Sequence, residues 1–342
     1  MWITLILKLF ISISIISNPA EKGLSVEPAK IDGLTFVAPP RPFSEKAFDD
    51  IIQSRADWIS VVPFAYSMRG KNQLFFNTQR QWWGEKLEGV ISTIKEAKAK
   101  KLKIMLKPQV YIPGSWIGEM RYDTEEEWSN WEKGYTAYID TLLSIAEEHE
   151  VELFCIGTEC KISIQERTGY WKNLISHARS KYSGQLTYSS NWDSYNQVPF
   201  WDELDFIGIS AYFPLTDTKT PSIEELKRKW APTKKRLKKY SKRNKKQILF
   251  TEFGYMSIDG CAYKAWEIEK QIYNRDINEQ AQANALDALL SSFWDEKYWA
   301  GGFLWKWFPD MQGHEGYIPK DYTPQGKISE QIVNKWYKKN DN

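Results

Sequence analysis

Two glutamates stand at the ends of short apolar runs. Glu159 closes LFCIGTEC (Leu153 to Cys160), and Glu252 sits in QILFTEFGY (Gln247 to Tyr255), hemmed in by Phe250, Phe253 and Tyr255. A short apolar run bounded by polar sequence reads as a buried strand. A carboxylate at the end of such a strand is costly unless it has a partner or a task. One such glutamate alone is more simply a salt-bridge partner. Two in matching contexts suggest a pair of carboxylates across one pocket, which is what cleavage of a glycosidic bond requires.

The elements that would position this pair can be read along the chain. Eight apolar runs occur, at Ile31 to Pro39, Trp58 to Met68, Lys103 to Ile112, Leu153 to Cys160, Gln185 to Trp192, Phe206 to Leu215, Gln247 to Tyr255 and Gly301 to Phe308. Helical patterns separate most of them: Ser44 to Arg55, Leu87 to Lys101, Glu166 to Tyr182, Asn278 to Asp295 and Lys327 to Lys338. Thr124 with Glu127, and Ser222 with Glu225, have the spacing of capping boxes that open two further helices. The fifth connection, Gln197 to Leu204, holds only a short helical piece. Strands alternating with helices imply parallel pairing, and eight such units favour a closed (β/α)8 barrel, class α/β. No glycine-rich phosphate loop follows the first strand, which disfavours a dinucleotide-binding sheet.

Active sites of such barrels lie at the C-terminal ends of the strands. Those ends are polar and aromatic here: Arg69 after the second strand, Lys107 and Gln109 on the third, Asn191 and Trp192 on the fifth, Tyr212 on the sixth and Trp305 on the eighth. Phe75, Trp83 and Trp116 lie in the long loops after the second and third strands. Lys107 has a plainer reading as the partner of a neighbouring carboxylate, and Trp307 as a core residue. Strict alternation puts Cys155, Gly157 and Glu159 on one face, and Ile248, Phe250 and Glu252 on another.

Four pieces, IGTE (Ile156 to Glu159), DFIGISAYFPL (Asp205 to Leu215), FTEFGY (Phe250 to Tyr255) and GGFLWKWF (Gly301 to Phe308), are spread over nearly the whole barrel. With glutamates ending strands four and seven, the sequence resembles clan A of the glycoside hydrolases, and its wording is similar to glycoside hydrolase family 113, known mainly for endo-β-1,4-mannanases. The resemblance implies a retaining hydrolase of mannan-type polysaccharides or oligosaccharides that needs no cofactor. It implies Glu159 as general acid/base, Glu252 as nucleophile, Tyr212 as a hydrogen-bond donor to the nucleophile and Trp305 as the floor under the sugar to be attacked. Arg69, Lys107, Gln109, Asn191, Trp192 and Trp116 are positional candidates for sugar contacts. Thr158 departs from the clan, where an asparagine usually precedes the acid/base and binds the sugar 2-hydroxyl. Another clan A β-glycosidase, either a β-mannosidase or a glucan-active enzyme, and a non-catalytic glycan-binding barrel are the alternatives.

A chain of 342 residues suits one such barrel, and 42% hydrophobic with 26% charged residues is ordinary for a globular protein. The net charge of +2 implies no strongly charged partner, and a monomer is expected. The basic stretch Lys227 to Lys246 reads as the solvated face of an outer helix rather than a nucleic-acid site, because Leu237 and Tyr240 interrupt the lysines. Residues 1–20 read as a secretory signal, with an uncleaved anchor next, and residues 21–342 as the barrel, so a secreted or periplasmic protein is expected. The three cysteines, Cys155, Cys160 and Cys261, have no metal-type spacing; a Cys160–Cys261 bridge is open, with free thiols the simpler reading. His149, His177 and His314 are scattered.

Overall fold

The computed structural model describes residues 29–313 and 317–341. The signal segment expected at 1–20 and His314 lie outside the described residues. Eight parallel strands close into a barrel: β1 (Ile31–Phe36), β2 (Trp58–Val61), β3 (Lys103–Leu106), β4 (Leu153–Thr158), β5 (Gln185–Asn191), β6 (Ile207–Ser210), β7 (Ile248–Phe253) and β8 (Trp299–Trp307). The closing pair is β1 with β8. Because such strands are buried on both faces, each reads as a nearly continuous apolar run, which is why all eight are visible in the sequence.

Helices α1 (Asp49–Gln53), α2 (Leu87–Ala99), α3 (Glu125–Glu148), α4 (Lys161–Glu166), α5 (Thr168–Lys181), α6 (Ile223–Asn244), α7 (Ala265–Ile268), α8 (Glu279–Phe293) and α9 (Ile328–Tyr337) form the outer layer. Only single 3-10 turns join β5 to β6. The Thr124 hydroxyl accepts from the Glu127 amide, and the Glu127 carboxylate accepts from the Thr124 amide, completing the expected capping box. Ser222 caps α6 in the same way, but Glu225 turns instead to the hydroxyls of Thr216 and Thr218. The basic stretch is α6 itself. Its buried residues Leu226, Trp230, Thr233, Leu237 and Ser241 recur at helical spacing, so the lysines face outward, as the amphipathic pattern requires.

One inner plug fills the bottom of the barrel. Ile31, Trp58, Met105, Leu153, Phe206, Leu249, Ala300 and Phe303 meet there, mostly one side chain per strand. A side chain on Gly33 would start 2.2 Å from the Phe303 ring, so only glycine lets that ring cross the axis. Above the plug comes a small polar layer, where the Ser189 hydroxyl bonds Ser210 at 3.0 Å and Thr251 at 2.6 Å. Small side chains at this level leave the top of the barrel open for larger, charged ones. The three cysteines are buried free thiols.

Candidate active site

Alternation along the strands does not deliver the two glutamates in the way the sequence suggests. On β7, Phe250 points outward and packs edge-on against Phe293 of α8, at 5.1 Å between ring centroids, whereas Leu249 points inward to the plug. Strict alternation would then turn Glu252 outward as well. Instead β7 carries one extra residue relative to both neighbours: Ile209 pairs with Phe250 and Ser210 with Glu252, while Gly302 pairs with Phe250 and Leu304 with Phe253. The bulge brings Thr251 and Glu252 both to the interior, the kind of re-aiming for which bulges are known. On β4 a similar slip lies between Cys155 and Thr158. A side chain on Gly157 would meet Trp171 and Tyr135 of the outer helices, so Gly157 does not face the interior. Glu159 reaches the pocket from a left-handed backbone, φ 57°, fastened by its amide to the Ser189 carbonyl at 2.7 Å. For a non-glycine residue that conformation is uncommon and marks a site held by its surroundings.

Glu252 is buried and densely bonded. Oε1 accepts from the wholly buried Lys107 Nζ and from Gln109 Nε2 at 2.8 Å, and Oε2 accepts from the Tyr212 hydroxyl at 3.0 Å. Lys107 is thus the carboxylate partner of its plainer reading, and the carboxylate it holds is Glu252. Donors on both oxygens fix its direction. Burial, and then the charge of Glu252, raise the Tyr212 hydroxyl well above the ordinary tyrosine value, so it stays a donor.

Glu159 has a sparser setting. Its Oε2 accepts from Trp116 Nε1 at 2.7 Å. Burial, reinforced by the charge of Glu252, pushes its carboxyl above the usual glutamate value, with Trp116 and the Ser210 hydroxyl pulling the other way. One carboxyl is therefore paired with a cation and two neutral donors, while the other is biased to keep a proton. Such a pair can attack a sugar carbon from one side and protonate a departing oxygen from the other.

The remaining candidates divide. Trp305 is half-buried, with the ammonium groups of Lys107 and Lys306 at 5.9 and 5.8 Å from its ring centroid. A side chain on Gly254 would start 2.3 Å from the Trp305 carbonyl oxygen, so the glycine of FTEFGY lets β7 pack against the strand that carries the tryptophan. Trp192 stacks on the exposed Trp266 at 5.6 Å and 15° between planes. Asn191 is half-buried and donates to Asp193 at 3.1 Å. Arg69 is not brought to the pair: it is exposed on the turn whose backbone bond runs from Lys71 to Met68. Thr158 donates to the Pro108 carbonyl at 3.1 Å. Trp83 packs edge-on against Phe43 at 5.5 Å, and its neighbour Trp82, with Phe75, lines the adjoining cavity instead. Ser210, whose hydroxyl reaches Glu159 and whose backbone pairs with Glu252, was missed by sequence reasoning; its only signal is its place as the second residue of the ISAY run. Trp307 is fully buried, as a core residue should be. Among the described residues no cluster of histidine, cysteine and carboxylate side chains is arranged to hold a metal ion. No helix among them is long and apolar enough to cross a membrane.

The profile of Glycoside Hydrolase Family 113 matches residues 41–327. No curated protein sequence matches the chain. Among solved structures, the chain is similar to the β-mannanase AaManA from Alicyclobacillus acidocaldarius in complex with ManMIm, with a TM-score of 0.77 at 23% identity over 92% of this chain and 99% of that one. It is similar to a β-1,4-mannanase of the same family, with a TM-score of 0.77 at 25% identity over 91% of this chain and 99% of that one. The β-glucuronidase of Ruminococcus gnavus shares the fold, with a TM-score of 0.61 at 15% identity over 91% of this chain and 50% of that one.

Proposed function

The chain belongs to glycoside hydrolase family 113, and on that premise we propose that it is an endo-acting β-1,4-mannanase working by retaining double displacement. It is a glycoside hydrolase; the glycan, the stereochemistry and the residue roles are the proposal. Glu252 is the nucleophile and Glu159 the acid/base. Glu252 attacks the anomeric carbon while Glu159 protonates the leaving oxygen, and Glu159 then takes a proton from water as the glycosyl–enzyme bond is broken. The observation that carries this assignment is the asymmetry of the pair: Lys107, Gln109 and Tyr212 converge on Glu252, whereas burial raises the carboxyl of Glu159. Trp305 floors the sugar under attack. Trp192 and Asn191, on the Glu159 side of the barrel, serve the leaving group. Thr158, already bonded to Pro108, leaves the 2-hydroxyl contact to other donors. The solved β-1,4-mannanases support the choice of glycan. Export through the segment 1–20 is part of the same reading, and N-terminal sequencing of the mature protein tests it.

The test is reducing-sugar release from mannan, glucomannan, galactomannan, cellulose and xylan, with wild type beside Glu252→Ala. Products from the mannans that vanish in the variant are expected, with the β-anomer appearing first by NMR. Activity confined to cellulose or xylan would discard the glycan and keep the mechanism. An α-anomer first would discard the mechanism.

A further inference from the structure

The net charge of +2 hides a segregation. Twelve lysines and arginines and no acid lie between Lys227 and Lys246, so the rest of the chain is net acidic. The stretch is α6 and the two residues that follow it. The helix buries Trp230, Thr233, Leu237 and Ser241 against the barrel. At about 100° per residue, the line opposite them is Arg228, Lys235, Lys239 and Lys242, a row roughly 21 Å long. All four are exposed, and none is in an ion pair among the described residues. Glu296 neutralises only the flank, through Lys234 and Lys238 at 3.0 and 3.1 Å. Such a row repels itself and attracts anions.

The face offers charge and nothing else. None of the exposed large apolar side chains belongs to α6. Tyr240 is half-buried, edge-on to Tyr195 at 5.2 Å and covered by the Arg243 guanidinium at 5.0 Å. Single-stranded nucleic acid would find no stacking platform there. Lysines are point charges without the fork that grips one phosphate, so a row of them suits negative charge spread over an area. An anionic lipid surface has that character, and basic helix faces are drawn to it. The position of the face points the same way. Lys30, which leads into β1, donates to the carbonyls of Glu296 and Trp299 at 2.9 and 2.5 Å, and the Glu296 carboxylate is the one held by α6. The chain thus enters the barrel beside the basic helix. Residues 21–29 reach at most roughly 30 Å when extended. While the apolar run at 1–20 is attached and in a membrane, this face therefore stays within reach of lipid headgroups, a point that rests on the export reading above. Because α6 starts at the barrel mouth and runs down the wall, contact through it leaves the mouth open to a glycan.

We propose that the outward face of α6 docks the protein reversibly on an anionic membrane surface, by electrostatics alone and without insertion. Sedimentation of the exported protein with vesicles tests this, using phosphatidylcholine alone and phosphatidylcholine mixed with phosphatidylglycerol. Preference for the mixed vesicles is expected, and it should collapse between about 0.01 and 1 M salt as the Debye length falls from about 30 to 3 Å. Each lysine at an anionic surface contributes about fivefold in affinity. Joint Lys235→Gln, Lys239→Gln and Lys242→Gln is therefore expected to weaken binding to the mixed vesicles about 100-fold. Joint Lys95→Gln, Lys133→Gln and Lys270→Gln, exposed lysines of other elements, should change it far less. Glutamine matches lysine as a helix former, and urea midpoints check that both variants fold. A retained apolar N-terminus holds both vesicles alike, so the ratio between them reads the helix alone and stands or falls apart from the export reading. Equal affinity for the two vesicles, a preference that survives high salt, or equal losses in the two triple variants would overturn the proposal. Tighter binding to a DNA duplex than to the mixed vesicles, lost in the α6 variant, would overturn it in favour of a nucleic acid.

Discussion

Lys107→Met removes the charge that holds the proposed nucleophile while nearly keeping its volume. Lys107 is fully buried, and its Nζ meets Oε1 of Glu252 beside Gln109 Nε2 at 2.8 Å. Stranding one member of a buried pair costs about 3–5 kcal/mol. The loss has a ceiling, because the lone carboxyl escapes by taking up a proton. Neutralising an ordinary glutamate costs about 4 kcal/mol at pH 7 but only about 1 kcal/mol at pH 5. The destabilisation is therefore expected near 3–4 kcal/mol at pH 7, shrinking to about 1 kcal/mol at pH 5. The sign follows from linkage: the folded variant keeps a proton that its unfolded chain releases, so the penalty grows with pH. Urea unfolding of both proteins at the two pH values measures it. Activity runs the other way. A nucleophile that holds a proton is more often idle in acid, so a loss of about 100-fold in kcat/KM at pH 7 is expected to deepen at pH 5. A stability loss equal at both pH values would refute this, as would a rate deficit that narrows in acid.

Three further outcomes are expected. Glu159→Ala should lower kcat on mannan by about 10²–10⁴, yet largely spare aryl glycosides whose leaving groups need no proton; the alkaline limb of kcat/KM, lifted above the glutamate range by burial and Glu252, should vanish with it. Tyr212→Phe removes the donor to Oε2 of Glu252 and should cost about 10- to 100-fold in kcat/KM; an unchanged pH profile together with an unchanged rate would contradict that role. Lys327, buried against Ser257 and Asp321, is pulled down to about 8 by desolvation, so below that pH the fold must hold a buried ammonium at a cost. Wild-type stability relative to Lys327→Met should therefore rise between about pH 8 and 10.5, a trend that urea midpoints across that range would reveal.

The barrel was legible because parallel strands buried on both faces leave unbroken apolar runs. What was not legible is how the second and third runs end. Pro63 and Pro108 each lack the amide a ladder needs, so β2 and β3 stop at Val61 and Leu106. Phe64–Tyr66 and Gln109–Tyr111 then pair with each other in a separate small sheet above the barrel. This offset puts Gln109 against Glu252 and aims Tyr66 at Glu85. Glu252 and Glu159 could be named from their contexts, but not the bulge and the left-handed turn that aim them, since both are cooperative results of packing against neighbouring strands. Trp83 was expected in the cleft and Trp82 lines the cavity; a one-residue error in a 3-10 turn reverses which ring is outside. Glu85 gave no signal in a long loop rich in charged and aromatic residues. Arg69 failed for the opposite reason, being polar in sequence and merely solvated in the fold.

The structure also explains why two glutamates on one barrel can differ so much. Each is reached from a strand whose regular pairing is broken, so neither inherits the environment that alternation would have given it. The β7 bulge carries Glu252 over the small Ser189–Ser210–Thr251 layer, where space is left for Lys107 to rise from β3. A wholly buried ammonium is tolerable only with an anion against it, and Glu252 supplies that anion. Lys107 lowers Glu159 as well, but less than any other group around it, its ammonium being set against Oε1 of Glu252. An indole, a hydroxyl and this ammonium together do not offset burial and the nearby negative charge. The charge of Glu252 thus works with burial to bias Glu159 toward its protonated form.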